Sequence, residues 1–245
     1  MRISLCKRIQ CAKSYWWYAR LGSMMHSNVH IRKEEMATMP DRYRAMLFNS
    51  LSGFKSLALI ATKNSQGRTN IGVFNSIVHI GAHPPLLGVV FRPDTVRRHT
   101  LEHILDQKSY TINHINQTML PMAHQASAKF DDDISEFTEC GFTEEYSITG
   151  TAPYIRESTI KMMMEYKMHI PIPLNGTIFV IGEITEAIIP DTCIQEDGYV
   201  DLQKAGTLTV SGLDAYFSTE LIDRYGYARP GTVPHSLLNS TERSI

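Results

Sequence analysis

Three arginines and two threonines crowd the segment 91–100, FRPDTVRRHT, and their types point to anion binding. An apolar run ends at Phe91 and a helix start follows, where unpaired backbone N–H groups and the positive helix end attract negative charge. Arg92, Arg97 and Arg98 add guanidinium donors and Thr100 a hydroxyl, a set matched to phosphate oxygens. Each charge-assisted hydrogen bond of this kind contributes about 1.5–3 kcal/mol.

A second candidate lies upstream in TNIGVFNS, residues 69–76. The segment is strand-like but carries Asn70, Gly72, Asn75 and Ser76, whereas a strand that only fills a core favours Val, Ile and aromatics. Glycine inside a strand marks close approach of a ligand or of another backbone. Asn70 with Val73, Phe74, Asn75 and Ser76 therefore reads as a wall for something flat and polar-edged.

A rival motif overlaps the arginine-rich segment. His99-Thr100-Leu101-Glu102-His103 is a literal H-x-x-E-H, whose histidines share one helical face and can hold zinc with the glutamate as base. Arg97 and Arg98 beside it disfavour a divalent cation, and no downstream carboxylate stands out as a further ligand, so no metal is assigned. His79 and His83 flank Gly81 and read as loop histidines, and Glu157-Ser158 is a candidate for the substrate side. No Ser-His-Asp set, catalytic cysteine or G-x-G-x-x-G loop is present.

The elements that must position these residues are mostly strands. Thr38 with Pro40 and Asp41 opens a helix that runs to Gly53. Leu57–Ala61 and Thr69–Ser76 read as a hairpin around the turn Asn64-Ser65-Gln66-Gly67. After Pro84-Pro85, Leu86–Phe91 is a buried strand, and Asp94 or Thr95 caps a helix to about Asp106. Ser109–Ile115 is strand and Pro121–Ala128 helix, followed by an irregular acidic segment through Glu145. Asp131-Asp132-Asp133 within it is a solvated loop leading into a helix cap. Strands at Ile160–Ile170 and Thr177–Ile189 flank the turn Asn175-Gly176, with Lys161 snorkelling beside the core residues Met162, Met163 and Met164. Thr207–Val210 and Tyr225–Ala228 supply short final strands. Strands without βαβ alternation predict a mainly β fold, an antiparallel barrel with peripheral helices.

Composition sets the frame. The chain of 245 residues suits one sizeable domain with extensions, and its net charge of −1 argues against a nucleic-acid-binding surface. Cys6, Cys11, Cys140 and Cys193 form no CxxC pair, which fits a reducing cytoplasmic setting. No apolar run reaches membrane-span length. Residues 1–37 are basic, with no acidic residue before Glu34, and read as a disordered extension or an over-long start, with an organellar transit peptide as the alternative. The Trp16-Trp17 pair is unexplained by that reading. The domain is expected over 38–230, with a tail at 231–245.

Taken in order, Ala61-Thr62-Lys63-Asn64 through Gly67, Asn70 with Phe74 and Ser76, Pro84-Pro85, and Arg98-His99-Thr100-Leu101 resemble the flavin reductase-like family. Tyr110-Thr111-Ile112-Asn113, Phe179–Ile184, Asp197-Gly198, Gly212–Tyr216 and Tyr227–Pro230 continue the resemblance, which covers about 45–230. It implies a Greek-key-like split β-barrel binding FMN non-covalently, usually at the interface of a homodimer. Asn70 and Val73–Ser76 would lie along the isoalloxazine ring; Arg97, Arg98 and Thr100 would take the phosphate. Many relatives carry Lys-Asp-Thr-Leu where this chain has Arg98-His99-Thr100-Leu101, and Asn where it has His103.

The activity so implied is an FMN-dependent oxidoreductase that accepts hydride from NADH or NADPH. Nicotinamide can dock on the flavin face without a Rossmann fingerprint. Reduced flavin would then serve free flavin, a partner monooxygenase or another redox protein. One alternative is a flavoredoxin-type electron carrier without nicotinamide turnover of its own. Another is a flavin-binding or haem-related barrel without reductase activity.

Overall fold

The computed structural model describes residues 28–93, 97–131 and 134–238. The chain divides into two compact units, Met1–Arg44 and Ala45–Ile245. In the first, α1 (Lys33–Thr38) begins where the Glu35 carboxylate accepts the Arg32 N–H at 2.7 Å. α2 (Asp41–Leu51) follows Pro40 as the sequence predicts; its first turn belongs to this unit and its remainder to the second. Arg44 pairs with Asp41 on that turn. Residues 1–27, with the paired tryptophans, Cys6 and Cys11, lie outside the described residues.

The second unit is built on one antiparallel sheet of seven strands. In chain order its strands are β2 (Ala58–Lys63), β3 (Thr69–Phe74), β4 (Ile77–Ala82), β5 (Pro85–Phe91), β6 (Ser109–His114), β9 (Lys161–Ile172) and β10 (Thr177–Ile188). Their spatial order is β3-β2-β6-β9-β10-β5-β4. β1 (Lys55–Ser56), β11 (Thr209–Ser211) and β12 (Ala215–Phe217) form a small second sheet, and β7 (Glu144–Glu145) pairs with β8 (Tyr154–Ile155).

β3 and β4 are the opposite edges of the large sheet, yet only Asn75 and Ser76 separate them in sequence. Three residue steps span at most about 11 Å of extended chain, so the sheet must curl until its edges approach. The closing contacts are present. Ser56 Oγ, just before β2, donates to the Ile77 carbonyl of β4 at 3.1 Å and accepts the Ile77 N–H at 3.3 Å. The result is the split β-barrel that the motif order implied.

Curling creates two apolar layers. Inside lie Ala58, Ile60, Val89, Phe91, Tyr110, Ile112, Met164 and Val180, joined by Leu101 and Ile104 of α3 (His99–Gln107). Outside, Leu59, Ala61 and Ile71 pack with Ile115, Met119, Phe142, Ile155 and Leu208. They also meet Ala123 of α4 (Leu120–Gln125) and Phe137 of α5 (Glu136–Cys140). Every residue of Ala58–Thr62 is buried because β2 is covered on both faces, which is why it reads as an unbroken apolar run. Asn113 fastens the layers: its Nδ2 donates to the Leu59 carbonyl at 3.2 Å and its Oδ1 accepts the Ile155 N–H at 3.0 Å.

Four readings from sequence change here. β4 was absent from the expected strands, and the helix after Phe91 begins at His99, with Asp94 and Thr95 outside the described residues. Tyr225–Ala228 is no strand; Tyr225 makes only an isolated bridge to Ser236. Lys161 does not snorkel. Its side chain is buried and donates to Glu145 Oε2 at 2.5 Å, because β7 and the following loop cover the end of β9.

His114, at the end of β6, is closely surrounded by protein, and burial pushes its imidazole down to about 4; its Nδ1 lies 3.2 Å from Thr207 Oγ1. An unfolded histidine titrates near 6.5, so the folded state binds fewer protons between those values. Stability is therefore retained above about pH 6.5 and falls by about 2–3 kcal/mol on descending toward pH 4. Denaturant titrations at the two ends of that range are expected to show this loss. In His114→Gln the loss should be largely absent.

Candidate functional site

The β2–β3 hairpin loop is shaped by Asn64, whose Oδ1 accepts the N–H groups of Gln66 at 3.0 Å and Arg68 at 2.8 Å. Gly67 there takes the left-handed conformation, with φ +82°, that a side chain would disfavour. The loop thereby turns Arg68 toward the start of α3. Arg68 and Asn70 are two residues apart and share a side of the strand direction. Asn70 is buried and its Nδ2 donates to Thr100 Oγ1 at 2.8 Å, tying β3 to α3.

Between hairpin and helix lies a polar pocket of about 220 Å³. Asn64, Ser65, Gln66, Arg68, Thr69 and Asn70 line one side, and Arg97, His99, His103 and Ile134 the other. Arg97 is held by Glu102, its Nε lying 3.1 and 3.0 Å from the two carboxylate oxygens. His103 Nδ1 lies 3.0 Å from Thr62 Oγ1. Burial, with His99 and Arg97 adding positive charge nearby, holds the His103 imidazole below its usual range.

The H-x-x-E-H residues thus make other bonds. The two imidazoles stack at 6.4 Å between centroids, and Glu102 turns to Arg97. Among the described residues no group of three or more His, Cys, Asp or Glu side chains is placed to hold a metal ion.

The structure separates the other predicted site residues. Asn75 Nδ2 lies 3.4 Å from the Gly212 carbonyl, and Ser76 Oγ lies 3.3 Å from Asn75 Oδ1, at the crossing from β3 to β4. Lys55 joins this second cluster, donating to the Asn49 carbonyl at 2.9 Å. Burial, and then the Arg92 guanidinium, lower the Lys55 ammonium's pKa, and Arg92 is not among the residues that line the pocket. Arg98 Nε donates to the Pro93 carbonyl at 3.4 Å. Phe74 packs inward on Phe91 at 4.8 Å between centroids, while Val73 faces the outer layer.

Gly72 resolves the oddity of the strand. A Cβ there would lie 2.7 Å from Phe74 Cε2 and 3.0 Å from Thr100 Oγ1, so the close approach is by the protein's own side chains. Both faces of β3 are packed, and its open feature is an edge. Ile71 N–H on that edge is taken by Glu136 Oε2 at 3.0 Å, and burial raises the Glu136 carboxyl above its usual range. Antiparallel alternation puts the backbone N–H and C=O of Val73 on the same outer edge.

Sequence reasoning missed Arg68, Thr69, Gln66 and Glu136. The parity of Arg68 with Asn70 is a signal that would have found the arginine; nothing local marks Glu136, which arrives from 65 residues away. His79 and His83 are exposed, and Glu157 serves the frame by accepting the Thr143 N–H.

Comparison with known proteins agrees with this architecture. The family model for the flavin reductase like domain matches residues 54–226. A crystal structure from Shewanella frigidimarina NCIMB 400, assigned as a flavin reductase with split barrel domain, superposes with TM-score 0.79 at 44% identity. The match covers 82% of this chain and 100% of that one. Flavoredoxin of Desulfovibrio vulgaris (Miyazaki F) shares the fold at TM-score 0.62 and 18% identity, over 85% of this chain and 98% of its own. An uncharacterized protein of Aquifex aeolicus (strain VF5) is 25% identical over 152 residues, 61% of this chain and 76% of that protein. The chain belongs to the flavin reductase-like family, the split-barrel proteins of flavin-related oxidoreduction.

Proposed function

We propose that the protein binds FMN non-covalently and acts as an oxidoreductase that takes electrons from NADH or NADPH. The observation that carries this reading is the pocket where Arg68, Arg97, His99, His103 and Asn70 converge. Its donor set fits a phosphate, in a chain whose family is flavin reductase-like. Asn75, Ser76 and the outer backbone edge of β3 would meet the polar rim of the flavin, and Thr100 acts through Asn70 by fixing its amide. Bound FMN would supply hydride acceptance and electron transfer. The chain's own contribution is to bind, orient and exclude water.

A homodimer completes the proposal. Pairing places Val78, Gly88, Ile181 and Met168 on one face of β4-β5-β10-β9, with Val90, Phe179 and Ile170 beside them. Val78, Ile80, Met168 and Ile170 are each more than two-fifths exposed, at 47%, 42%, 48% and 44%. A contiguous apolar sheet face of this kind is unusual on a monomer and fits a second copy of the chain. Met168→Asp with Ile170→Asp is expected to halve the mass measured by light scattering. An unchanged mass would place the contact elsewhere.

Purified protein is expected to be yellow, or to become so with FMN, and to release FMN on denaturation. Anaerobic mixing with either nicotinamide should bleach the bound flavin. Bound flavin that neither donor bleaches would mark an electron carrier of the flavoredoxin kind, and protein that takes up no FMN would end the flavin reading.

A further inference from the structure

One exposed stretch carries almost no charge in a chain that is 20% charged residues. Residues 225–238, YGYARPGTVPHSLL, contain no Lys, Asp or Glu, and Arg229 is their one permanent charge. They form a looped arm. Its two ends are joined where the Leu237 N–H donates to the Arg224 carbonyl at 2.7 Å and the Gly226 N–H to the His235 carbonyl at 3.1 Å. Its tip is the turn Arg229-Pro230-Gly231-Thr232. There the Thr232 N–H reaches the Arg229 carbonyl at 3.2 Å, proline holds the second position and Gly231 takes φ +77° at the third. Arg224 anchors the base, donating to Gln195 and Asp197 with its guanidinium 4.0 Å from the Tyr199 ring centroid.

The arm is shaped but not buried. Ile222, Tyr227 and Val233 are 94%, 90% and 86% exposed, and Tyr225 and Leu238 at least half. Ordering a loop costs conformational entropy, which burial of its side chains must offset. Here the apolar side chains that could do so stand in solvent. The prolines and the bonded turn lower that cost in advance, an arrangement that strengthens contact with another molecule. Composition names the kind of molecule. Tyr and Arg are enriched, and Lys, Glu and Asp depleted, where two proteins meet.

We propose that residues 222–238 form an arm that grips a second copy of this chain. The inference rests on the homodimer proposed above and gives it a second contact. Area is the reason one is needed. Each partner in a stable interface gives up about 800 Å². The part-exposed side chains of the sheet face, Val78, Ile80, Met168 and Ile170, offer on the order of 200 Å² together. Tyr225 and Tyr227 with Ile222, Val233 and Leu238 add on the order of 500 Å². A two-fold dimer uses the arm twice, since each arm lies on the other copy.

The test measures mass and amide exchange on the full chain over a range of concentrations. Light scattering on the wild type is expected to give the mass of two chains. Tyr227→Ser with Val233→Ser should raise the dissociation constant at least about 100-fold, as loss of anchor side chains at an interface does. Both side chains are exposed, so this variant should fold as the wild type does. In the wild type, amides of residues 225–238 should exchange more slowly above the dissociation constant than below it, a readout that needs no variant. Pairing that survives in the variant, or exchange at 225–238 that ignores concentration, overturns the arm and leaves the homodimer in place. A single chain at every concentration overturns the homodimer and the arm with it; slow exchange at 225–238 in that single chain would mean that the arm folds onto its own barrel. Pairing lost in the arm variant but kept in Met168→Asp with Ile170→Asp supports the arm and overturns the sheet-face contact.

Discussion

Gly182→Ala is expected to destabilise the protein by about 3 kcal/mol, near the upper end of the cost of overpacking a tight core. Gly182 lies on β10 at a register shift against β9. An added Cβ would fall inside contact distance of the Tyr110 hydroxyl, 3.0 Å from Tyr110 Cζ and 3.2 Å from the Glu165 carbonyl oxygen. Tyr110 has no room to retreat, being fully buried in the inner layer. A shift of about 6–12 °C in Tm follows for a domain of this size. Scanning calorimetry checks it, and an unchanged Tm would mean that β9 and β10 separate more easily than their pairing implies.

Tyr110→Phe tests the same contact from the other side. The Tyr110 hydroxyl is buried with no hydrogen-bond partner among the described residues, and burial holds its pKa well above the ordinary range. An unpaired buried hydroxyl costs about 1–3 kcal/mol in desolvation, so its removal should be neutral or stabilising. In the double variant the nearest clash is gone, and part of the Gly182→Ala loss should return as a coupling of about 1–2 kcal/mol.

The second large effect concerns the pocket. Arg68→Ala with Arg97→Ala is expected to weaken FMN binding at least about 100-fold, since each charge-assisted bond contributes about 1.5–3 kcal/mol. Riboflavin affinity should hardly change. Arg98→Ala makes the contrast. Its guanidinium donates to the Pro93 carbonyl rather than lining the pocket, so a loss of less than about fivefold is expected. Fluorescence titration separates the two; equal losses would mean that Arg98 reaches the ligand as well.

Much of the frame was legible in the chain. The hairpin of β2 and β3, the helix after Pro40 and the long pair β9 and β10 follow from apolar runs bounded by turns, which are local signals. β4 was not legible, because IVHIGA is an edge strand with His79 outward and little of it buried. Its partner β5 comes after a second proline turn, so no local pattern announces the pairing. Lys161 reads as a surface lysine until Glu145, 16 residues away in sequence, covers it.

For the site, residue types along 69–76 and 91–100 raised the expectation of an anion and a polar-edged ligand, and the order of the motifs along the chain named the family. Read by residue type, Val73 and Phe74 stand on one wall together, whereas strand alternation puts Phe74 on the inner layer and Val73 on the outer. Only the tertiary structure decided what meets each face. Closure of the sheet brings β3 beside β4, so Asn75 and Lys55 both reach the Gly212 carbonyl, while Arg97 joins Arg68 across the hairpin. Gly72 belongs to Thr100 and Phe74 for the same reason. Side-chain chemistry is local and can be read from one strand, whereas the contact each side chain makes depends on the distant strand or helix that folding lays against it.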